Sequence, residues 1–227
     1  MKSYQPVVAR LLNEKRPATV LDAPCGSGWL AGLLEFDATI DGVDLHGERP
    51  ASYRDFRNAD LDAGLPADLG DYEAIVCCEG LEHFGNPQLY LSSALRHLAP
   101  GGLLVVTTPN VWYPEARLQY LLRGFFPGFP ALAGKVRRGT HMHIAPWSFP
   151  QLHLYLTLAG FTGISLHEVD EPKPKRVYEW LLGVPQYLYC ASKRRKAAGD
   201  EERRFWSQTG SRQSIWGRRL IVRAIRT

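Results

Sequence analysis

The sequence has few cysteines and no long apolar run, and each shortage excludes a class of protein. Its four cysteines do not have the Cys-x-x-Cys spacing of zinc sites. We therefore expect no zinc site, reduced thiols and a cytoplasmic location. An apolar stretch of about 18 residues is also missing, so a transmembrane helix is not expected. Residues 1–16 are polar and include Pro6, unlike a signal peptide.

The charges are distributed unevenly along the 227 residues, although the net charge is only +4. Residues 1–170 contain 13 Lys and Arg against 18 Asp and Glu, a net charge of −5. Residues 171–227 contain 14 Lys and Arg against 5 Asp and Glu, a net charge of +9. An anionic partner would therefore meet the second part of the chain.

The most informative stretch is residues 20–34, VLDAPCGSGWLAGLL. It predicts an apolar strand, a turn with Gly26 and Gly28, and a helix over residues 27–35. Glycines let backbone amides approach a ligand, and the unpaired N–H groups of a following helix point to the same place. Gly26, Gly28 and Ala31 also fit the dinucleotide pattern G-x-G-x-x-G/A, so the turn alone does not identify the ligand. A strand, turn and helix without any ligand is the structural alternative.

Acidic residues follow the next predicted strands. Asp44 closes a strand over residues 39–44, about 20 residues after the first strand, where an acid can accept from ribose hydroxyls. Asp60 follows at a loop. Residues 71–78 predict a buried strand that runs into Gly80, and a helix over residues 87–98 precedes a strand over residues 102–108.

Five motifs in this order, LDAPCGSGWL, GVDL, NADL, EGLEHFGNP and LAPGGLLVVTTPN, resemble the class I S-adenosylmethionine (SAM)-dependent methyltransferases. The resemblance covers residues 18–110 and is to the branch with ubiquinone-pathway and sugar O-methyltransferases. It implies an α/β, doubly wound, Rossmann-like sheet of seven strands, mostly parallel with an antiparallel last strand. Pro24 departs from the pattern, since the family usually has its first glycine there, and proline fixes φ and lacks an N–H.

The same resemblance implies the cofactor, SAM, and the residues that hold it. Asp44 is expected to bind the ribose, and Asp60 and Leu61 are expected to border the adenine. The full cofactor set implied by the motifs is Asp22, Ala23, Pro24, Cys25, Gly26, Gly28, Asp44, Leu45, Asp60, Leu61, Glu79, Gly80 and His83.

The remainder of the chain predicts one domain over residues 1–227 with two insertions, at about 111–147 and 170–217. A helix over residues 3–15 precedes the first strand, and helices are expected over residues 115–122 and 150–160. Residues 161–169 predict the sixth strand. Residues 218–226 predict the last strand, antiparallel and at the edge of the sheet.

Both insertions are rich in apolar residues, and their patterns leave two interpretations open. Residues 124–130, GFFPGFP, predict either a packed loop or an apolar lid or lipid-contacting surface. A predicted helix over residues 177–189 is followed by four basic residues, 193–196. This pattern predicts either peripheral contact of residues 177–196 with an anionic membrane or a packed helix followed by a solvated basic turn. Pro185 interrupts the helical pattern and favours the second interpretation.

Three histidines are candidate catalytic residues. Methyl transfer to an oxygen benefits from a base, and His83 lies just after the expected ligand-facing residues Gly80 and Leu81. Alternatively, His83 has only a structural role and shapes the pocket at the start of a helix. His141 and His143 lie two residues apart, on one side of an extended segment, and could act as base, substrate contacts or a metal pair. Two histidines without a nearby acid are a weak metal site, so no metal is predicted.

These observations favour a SAM-dependent methyltransferase that acts on a hydroxyl of a sugar, a lipid-linked glycan or another small acceptor. An NAD(P)-dependent Rossmann oxidoreductase is the alternative enzyme, although it does not explain EGLEHF or APGGLLVV. A catalytically inactive methyltransferase fold that only binds partners is the other alternative. Nucleic acid is not an expected partner, since no Asn-Pro-Pro-aromatic motif is present. The expected location is cytoplasmic, with possible peripheral contact at the inner face of the membrane.

Overall fold

The computed structural model describes residues 1–129 and 142–227, which form a central sheet flanked by helices. The strands are β1 (Thr19–Asp22), β2 (Thr39–Asp44), β3 (Asp55–Asn58), β4 (Tyr72–Cys78), β5 (Leu98–Pro109), β6 (Thr162–His167) and β7 (Arg219–Ile225). The helices are α1 (Gln5–Lys15), α2 (Pro87–His97), α3 (Pro114–Arg123), α4 (Phe149–Ala159), α5 (Val177–Lys196), α6 (Asp200–Thr209) and α7 (Arg212–Trp216). None of the helices in the described residues is long and apolar enough to cross a bilayer.

The seven strands lie in the order β3-β2-β1-β4-β5-β7-β6. The pairs from β3 to β5 are all parallel, and β7 is antiparallel to both β5 and β6. The predicted Rossmann-like, mostly parallel sheet with an antiparallel last strand is therefore confirmed. Its expected edge position was wrong, because β7 lies between β5 and β6 and leaves β6 at the edge.

Two apolar layers cover the sheet, one on each face. Alternating side chains of β1 explain the two layers, since Leu21 faces one of them and Val20 faces the other. α2 and α4 pack on the first layer, which includes Tyr90 and Leu152. α1 packs on the second layer through Leu12. Because buried parallel strands expose their carboxyl ends at one edge, this arrangement collects the residues that follow β1, β2 and β4 there.

Two predicted helices differ from the structure. The helix expected over residues 27–35 is a short 3₁₀ helix, Trp29–Leu33. A 3₁₀ helix has three residues per turn and is usually short, as this one is. α5 continues through Pro185 to Lys196, so residues 193–196 form the last turn of the helix instead of a separate basic turn.

Candidate functional site

The turn after β1 is fixed by backbone hydrogen bonds to both neighbouring strands. The Ala23 amide donates to the Val76 carbonyl at 2.9 Å, and the Cys25 amide donates to the Val43 carbonyl at 3.1 Å. Gly28 has φ 71°, and a β-carbon there would lie 2.3 Å from Pro50 Cβ. Only glycine fits such a position without strain. The turn is therefore held in a conformation that exposes its backbone at the carboxyl edge of the sheet.

Asp44 lies against this turn, as the order of the motifs predicts. Its Oδ2 accepts a hydrogen bond from the Gly26 amide at 2.9 Å, and its Oδ1 accepts from the His46 amide at 3.3 Å. The side chain is partly exposed at the end of β2, and Leu45 follows it. The structure thus brings together the glycine turn and the acid expected to bind ribose, and ribose binding itself stays a prediction.

Asp22 is fully buried below the turn. The Tyr53 hydroxyl donates to Asp22 Oδ2 at 2.5 Å, whereas Asp22 Oδ1 has no hydrogen-bond partner within residues 1–129 and 142–227. Burial raises the pKa of Asp22 to about 7. The hydrogen bond from Tyr53 lowers this pKa, and the negative charge of Asp44 raises it. The sequence analysis missed Tyr53, whose segment has a weak pattern.

Asp60 and Leu61 lie beside the end of β2, because the amide of Ala59 donates to the Asp44 carbonyl at 2.9 Å. Asp60 begins a 3₁₀ helix, Leu61–Ala63, and its Oδ1 accepts from the Asp62 amide at 3.1 Å. Leu61 is buried in the apolar layer that contains Leu21. The neighbouring loop therefore lies near Asp44, the acid expected to bind ribose, and its contact with adenine remains a prediction.

Glu79 and Gly80 follow β4 on the other side of the turn. The Thr107 hydroxyl donates to Glu79 Oε1 at 3.3 Å, and Arg219 Nε lies 3.9 Å from Glu79 Oε2. Burial raises the pKa of Glu79, and Arg219 opposes this rise. Pro24 packs directly on Gly80, where a β-carbon would lie 2.4 Å from Pro24 Cδ. The unusual proline thus closes the turn against the loop after β4.

His83 and His143 lie next to each other at the same edge, with ring centroids 5.1 Å apart. His83 Nδ1 lies 2.8 Å from the Met142 carbonyl oxygen. Because a carbonyl only accepts, Nδ1 carries the hydrogen and Nε2 is the basic nitrogen of the neutral ring. His141 lies outside the described residues, so its place relative to this pair is not described.

Glu82 completes this cluster, and the sequence analysis did not single it out. Glu82 Oε1 lies 3.8 Å from His83 Nε2, and Glu82 Oε2 accepts from the Thr108 hydroxyl at 3.0 Å. The Glu82 carbonyl accepts from the amides of Ile144 and Ala145, which holds the segment after His143 against the site. Burial, followed by the charge of Glu79, raises the pKa of Glu82 to about 8. Its signal in the sequence is its position in EGLEHF, immediately before His83.

The site can hold a cationic cofactor. SAM carries positive charge on its sulfonium and ammonium groups, and the turn is surrounded by the carboxyl groups of Asp22, Asp44 and Glu79. The buried Asp22 Oδ1, which has no partner in the described part of the chain, is an acceptor that an ammonium donor would satisfy. The residues present therefore fit this cofactor.

The site also contains a set of possible metal ligands. One ligand atom each from Glu82, His83 and His143 lies within 4.8 Å of the others. Histidine nitrogen and carboxylate oxygen suit several divalent metals. The sequence argument against a metal was the lack of a nearby acid, and Glu82 supplies one. The prediction that the protein uses no metal stays a prediction.

Comparisons with known proteins identify the family of this chain. A family model described as a methyltransferase domain matches residues 2–166. The ubiquinone biosynthesis O-methyltransferase of Dechloromonas aromatica (strain RCB) is 31% identical over 106 residues, which are 40% of this chain and 44% of that protein. The mitochondrial enzyme of the same description from Rattus norvegicus is 29% identical over 136 residues, 54% of this chain and 38% of that protein. The matched region thus spans less than half the length of these curated relatives.

A solved structure has the same fold. The 1,6-didemethyltoxoflavin-N1-methyltransferase of Burkholderia thailandensis, with its substrate and S-adenosylhomocysteine bound, aligns with a TM-score of 0.57 and 15% identity. The alignment covers 99% of this chain and 79% of that one. The family predicted from the five motifs is confirmed, and it favours SAM over the nicotinamide alternative. The chain belongs to the methyltransferase-domain family, whose members use S-adenosylmethionine as cofactor.

Proposed function

We propose that this protein transfers the methyl group of SAM to a hydroxyl of a small acceptor, such as a sugar or a lipid-linked glycan. The observation that carries the proposal is the orientation of His83. Its Nδ1 is bound to the Met142 carbonyl, so its basic nitrogen is Nε2, on the side of Glu82. The bacterial and rat relatives are O-methyltransferases, which supports oxygen as the methylated atom.

Some residues of the site would bind the cofactor, and others would remove the proton of the acceptor. Gly26, Gly28 and Asp44 would hold the nucleoside part, and Asp22 would pair with the ammonium. SAM supplies an electrophilic methyl group on its sulfonium when it is bound.

His83 Nε2 would take the proton of the acceptor hydroxyl as the oxygen–methyl bond forms and the sulfur–methyl bond breaks. Glu82, 3.8 Å away, would in its ionised form stabilise the resulting imidazolium, and its pKa of about 8 favours that form above neutral pH. His143, edge-on to His83, would then contact the acceptor. A base is useful here because hydroxyl groups of sugars are weak nucleophiles while protonated.

Apolar residues near the site bear on the class of acceptor. The apolar residues of α3 and of the segment after it, among them Phe125 and Phe129, lie on the chain between β5 and His143. An acceptor with an apolar tail, such as a glycolipid, suits that neighbourhood. Peripheral membrane contact through residues 177–196 would bring such an acceptor close to the site.

The test is mass spectrometry of products after incubation with isotopically labelled SAM and a panel of hydroxylated acceptors. We expect one labelled methyl per product, attached to oxygen, and much slower product formation with a His83→Ala variant. Calorimetric binding of NAD(P) and not SAM would support the oxidoreductase alternative. SAM binding with no product from any acceptor would support the inactive, partner-binding alternative.

A further inference from the structure

The burial pattern of α5 is the reverse of an ordinary surface helix. Its buried residues are Glu179, Gly183 and Cys190, so the inward face carries a charge and a glycine. Its outward face carries large apolar and aromatic side chains: Val177, Tyr178, Trp180, Leu181, Leu182, Tyr187, Leu188 and Tyr189. Glu179 is the sole charged residue in 177–189, and it is fully buried. The outward face is therefore apolar over three turns, and exposing such a face to water is unfavourable.

The inward face of α5 makes specific contacts with the rest of the protein. The exposed apolar side chains on its other face therefore do not result from loose packing of the helix. Glu179 Oε1 pairs with Arg218 Nη2 at 2.7 Å, and the same nitrogen lies 3.2 Å from Glu115 Oε2 on α3. The Trp216 indole donates to the Glu179 carbonyl at 2.9 Å. These contacts join α5 to α3, α7 and the start of β7, and they fix which side of α5 faces outward.

α3 extends the same surface. It lies beside α5, and Arg117 Nη2 donates to the Leu182 carbonyl at 3.2 Å. Its exposed residues include Leu118, Leu121 and Leu122. We call the exposed apolar side chains of α3 and α5 the apolar surface.

Positive charge is concentrated at one end of the apolar surface. Lys193, Arg194, Arg195 and Lys196 form the exposed last turn of α5. The acids nearest the surface, Glu115 and Glu179, are both paired with arginine. At the start of α6, Asp200 pairs with Arg203 and Glu202 accepts from the Trp206 indole. Glu201 and Glu202 keep their charges there, but residues 193–204 hold six Lys and Arg against three acids, so the charge beside the apolar surface is net cationic.

We propose that the apolar surface docks on an anionic lipid bilayer, with the last turn of α5 on the headgroups. Tryptophan and tyrosine suit the boundary between headgroups and chains, and leucines beside them can enter the apolar layer. Clustered lysine and arginine bind the negative surface of such a membrane. The four basic residues directly after the apolar side chains favour an anionic bilayer over an uncharged apolar partner.

The apolar surface is also connected to the candidate site. The segment after α3 leads to Gly128, whose carbonyl accepts from the His143 amide at 3.2 Å. Docking would therefore bring the bilayer towards the edge of the molecule that carries His143. The docking itself does not depend on methyl transfer, since it rests on the exposed side chains alone.

The test is co-sedimentation of the full chain with vesicles of phosphatidylcholine, alone or mixed with phosphatidylglycerol, at low and high salt. We expect binding to the mixed vesicles at low salt and weaker binding at high salt. Replacing residues 193–196 with glutamine should lower the partition coefficient on mixed vesicles at least about tenfold. The double variant Trp180→Ser/Leu181→Ser should lower binding under every condition.

A matched control uses exposed leucines elsewhere. Leu154 and Leu158 on α4 are 54% and 68% exposed, close to the 54% and 64% of Trp180 and Leu181. Leu154→Ser/Leu158→Ser should bind vesicles like the wild type, and calorimetric SAM binding should be equal in all variants, which shows that they fold. Equal recovery of wild type and all variants in the supernatant would overturn the proposal. A dimer in light scattering that Trp180→Ser/Leu181→Ser abolishes, without vesicle binding, would assign the surface to a second copy instead.

Discussion

The Tyr53 hydroxyl donates a hydrogen bond to the fully buried carboxylate of Asp22, with 2.5 Å between the two oxygens. Tyr53 is itself buried and packs beside Cys25 and Leu30 below the glycine turn. This contact links the loop before β3 to the end of β1. A buried carboxylate needs such a donor, because an unpaired charge in an apolar layer is costly.

The first prediction concerns this hydrogen bond. Tyr53→Phe should lower the free energy of unfolding by about 1–3 kcal/mol, because Asp22 loses its donor while the ring still fills the space. The loss should be larger at pH 8 than at pH 5, since the hydrogen bond lowers the pKa of Asp22 and so favours its ionised form. Urea denaturation at the two pH values measures both effects. Tyr187→Phe on the exposed face of α5 is the control, and a loss as large for that variant would contradict the assignment.

The second prediction is a pH dependence of cofactor affinity. Burial raises the pKa of Asp22 to about 7, so much of this acid is protonated below neutral pH. The ammonium of SAM binds the ionised form, and SAM affinity should therefore rise from pH 6 to pH 8, approaching about tenfold per unit below the pKa. Titration calorimetry in buffers of different ionisation enthalpy should detect proton release near pH 7. Asp22→Asn should bind more weakly and remove the pH dependence, and an unchanged pH profile in that variant would exclude Asp22 as its source.

The same raised pKa affects folding in the opposite direction. The folded state keeps the Asp22 proton up to about pH 7, whereas the unfolded chain releases it near pH 4. The contribution of Asp22 to stability is therefore greatest at low pH and falls as the pH rises between these two values. Asp22→Asn should flatten the wild-type decline in unfolding free energy over this window. A parallel decline in both proteins would place its origin in other groups.

The third prediction concerns the expected ribose acid. Asp44→Ala should weaken SAM binding by about 1.5–3 kcal/mol, because a charge-assisted hydrogen bond is removed. Asp44 also accepts from the Gly26 amide, so part of the loss would come from the turn itself. Asp44→Asn separates the two, since an amide oxygen can still accept from Gly26. Asp37→Ala, an exposed acid before β2, is the control and should keep wild-type affinity in calorimetry.

The glycine turn and Asp44 could be predicted because each depends on a short motif, and the mostly parallel sheet could be predicted from the family resemblance. Local patterns determine the turn or acid at the end of a strand, and parallel topology then places those residues at one edge. The sequence could not place β7, whose pairing with β5 and β6 joins segments far apart in the chain. It also contains no sign that the last turn of α5 would carry residues 193–196, since Pro185 argues against a continuous helix.

The candidate site also contains some residues that could be predicted from local motifs and others that could not. His83 was identified from its place after Gly80, whereas Glu82 and Tyr53 were not, because each acts through a contact with a distant segment. Glu82 accepts from Thr108 on β5, and Tyr53 donates to Asp22 on β1. Likewise, nothing in the sequence pairs His83 with His143, which is brought close by hydrogen bonds to the Glu82 carbonyl.

The last prediction addresses the proposed base. His83→Ala should lower kcat by roughly 10²- to 10⁴-fold and leave the Kd for SAM nearly unchanged, because the ring would act on the acceptor proton and not on cofactor binding. His143→Ala should raise KM for the acceptor more than it lowers kcat. His167→Ala on β6, which is separated from β5 by β7, is the control. Turnover measured with and without a chelator separates the two chemistries open to Glu82, His83 and His143: full activity in chelator keeps His83 as the base, whereas loss that an added divalent metal restores would assign its Nε2 to a metal ion instead.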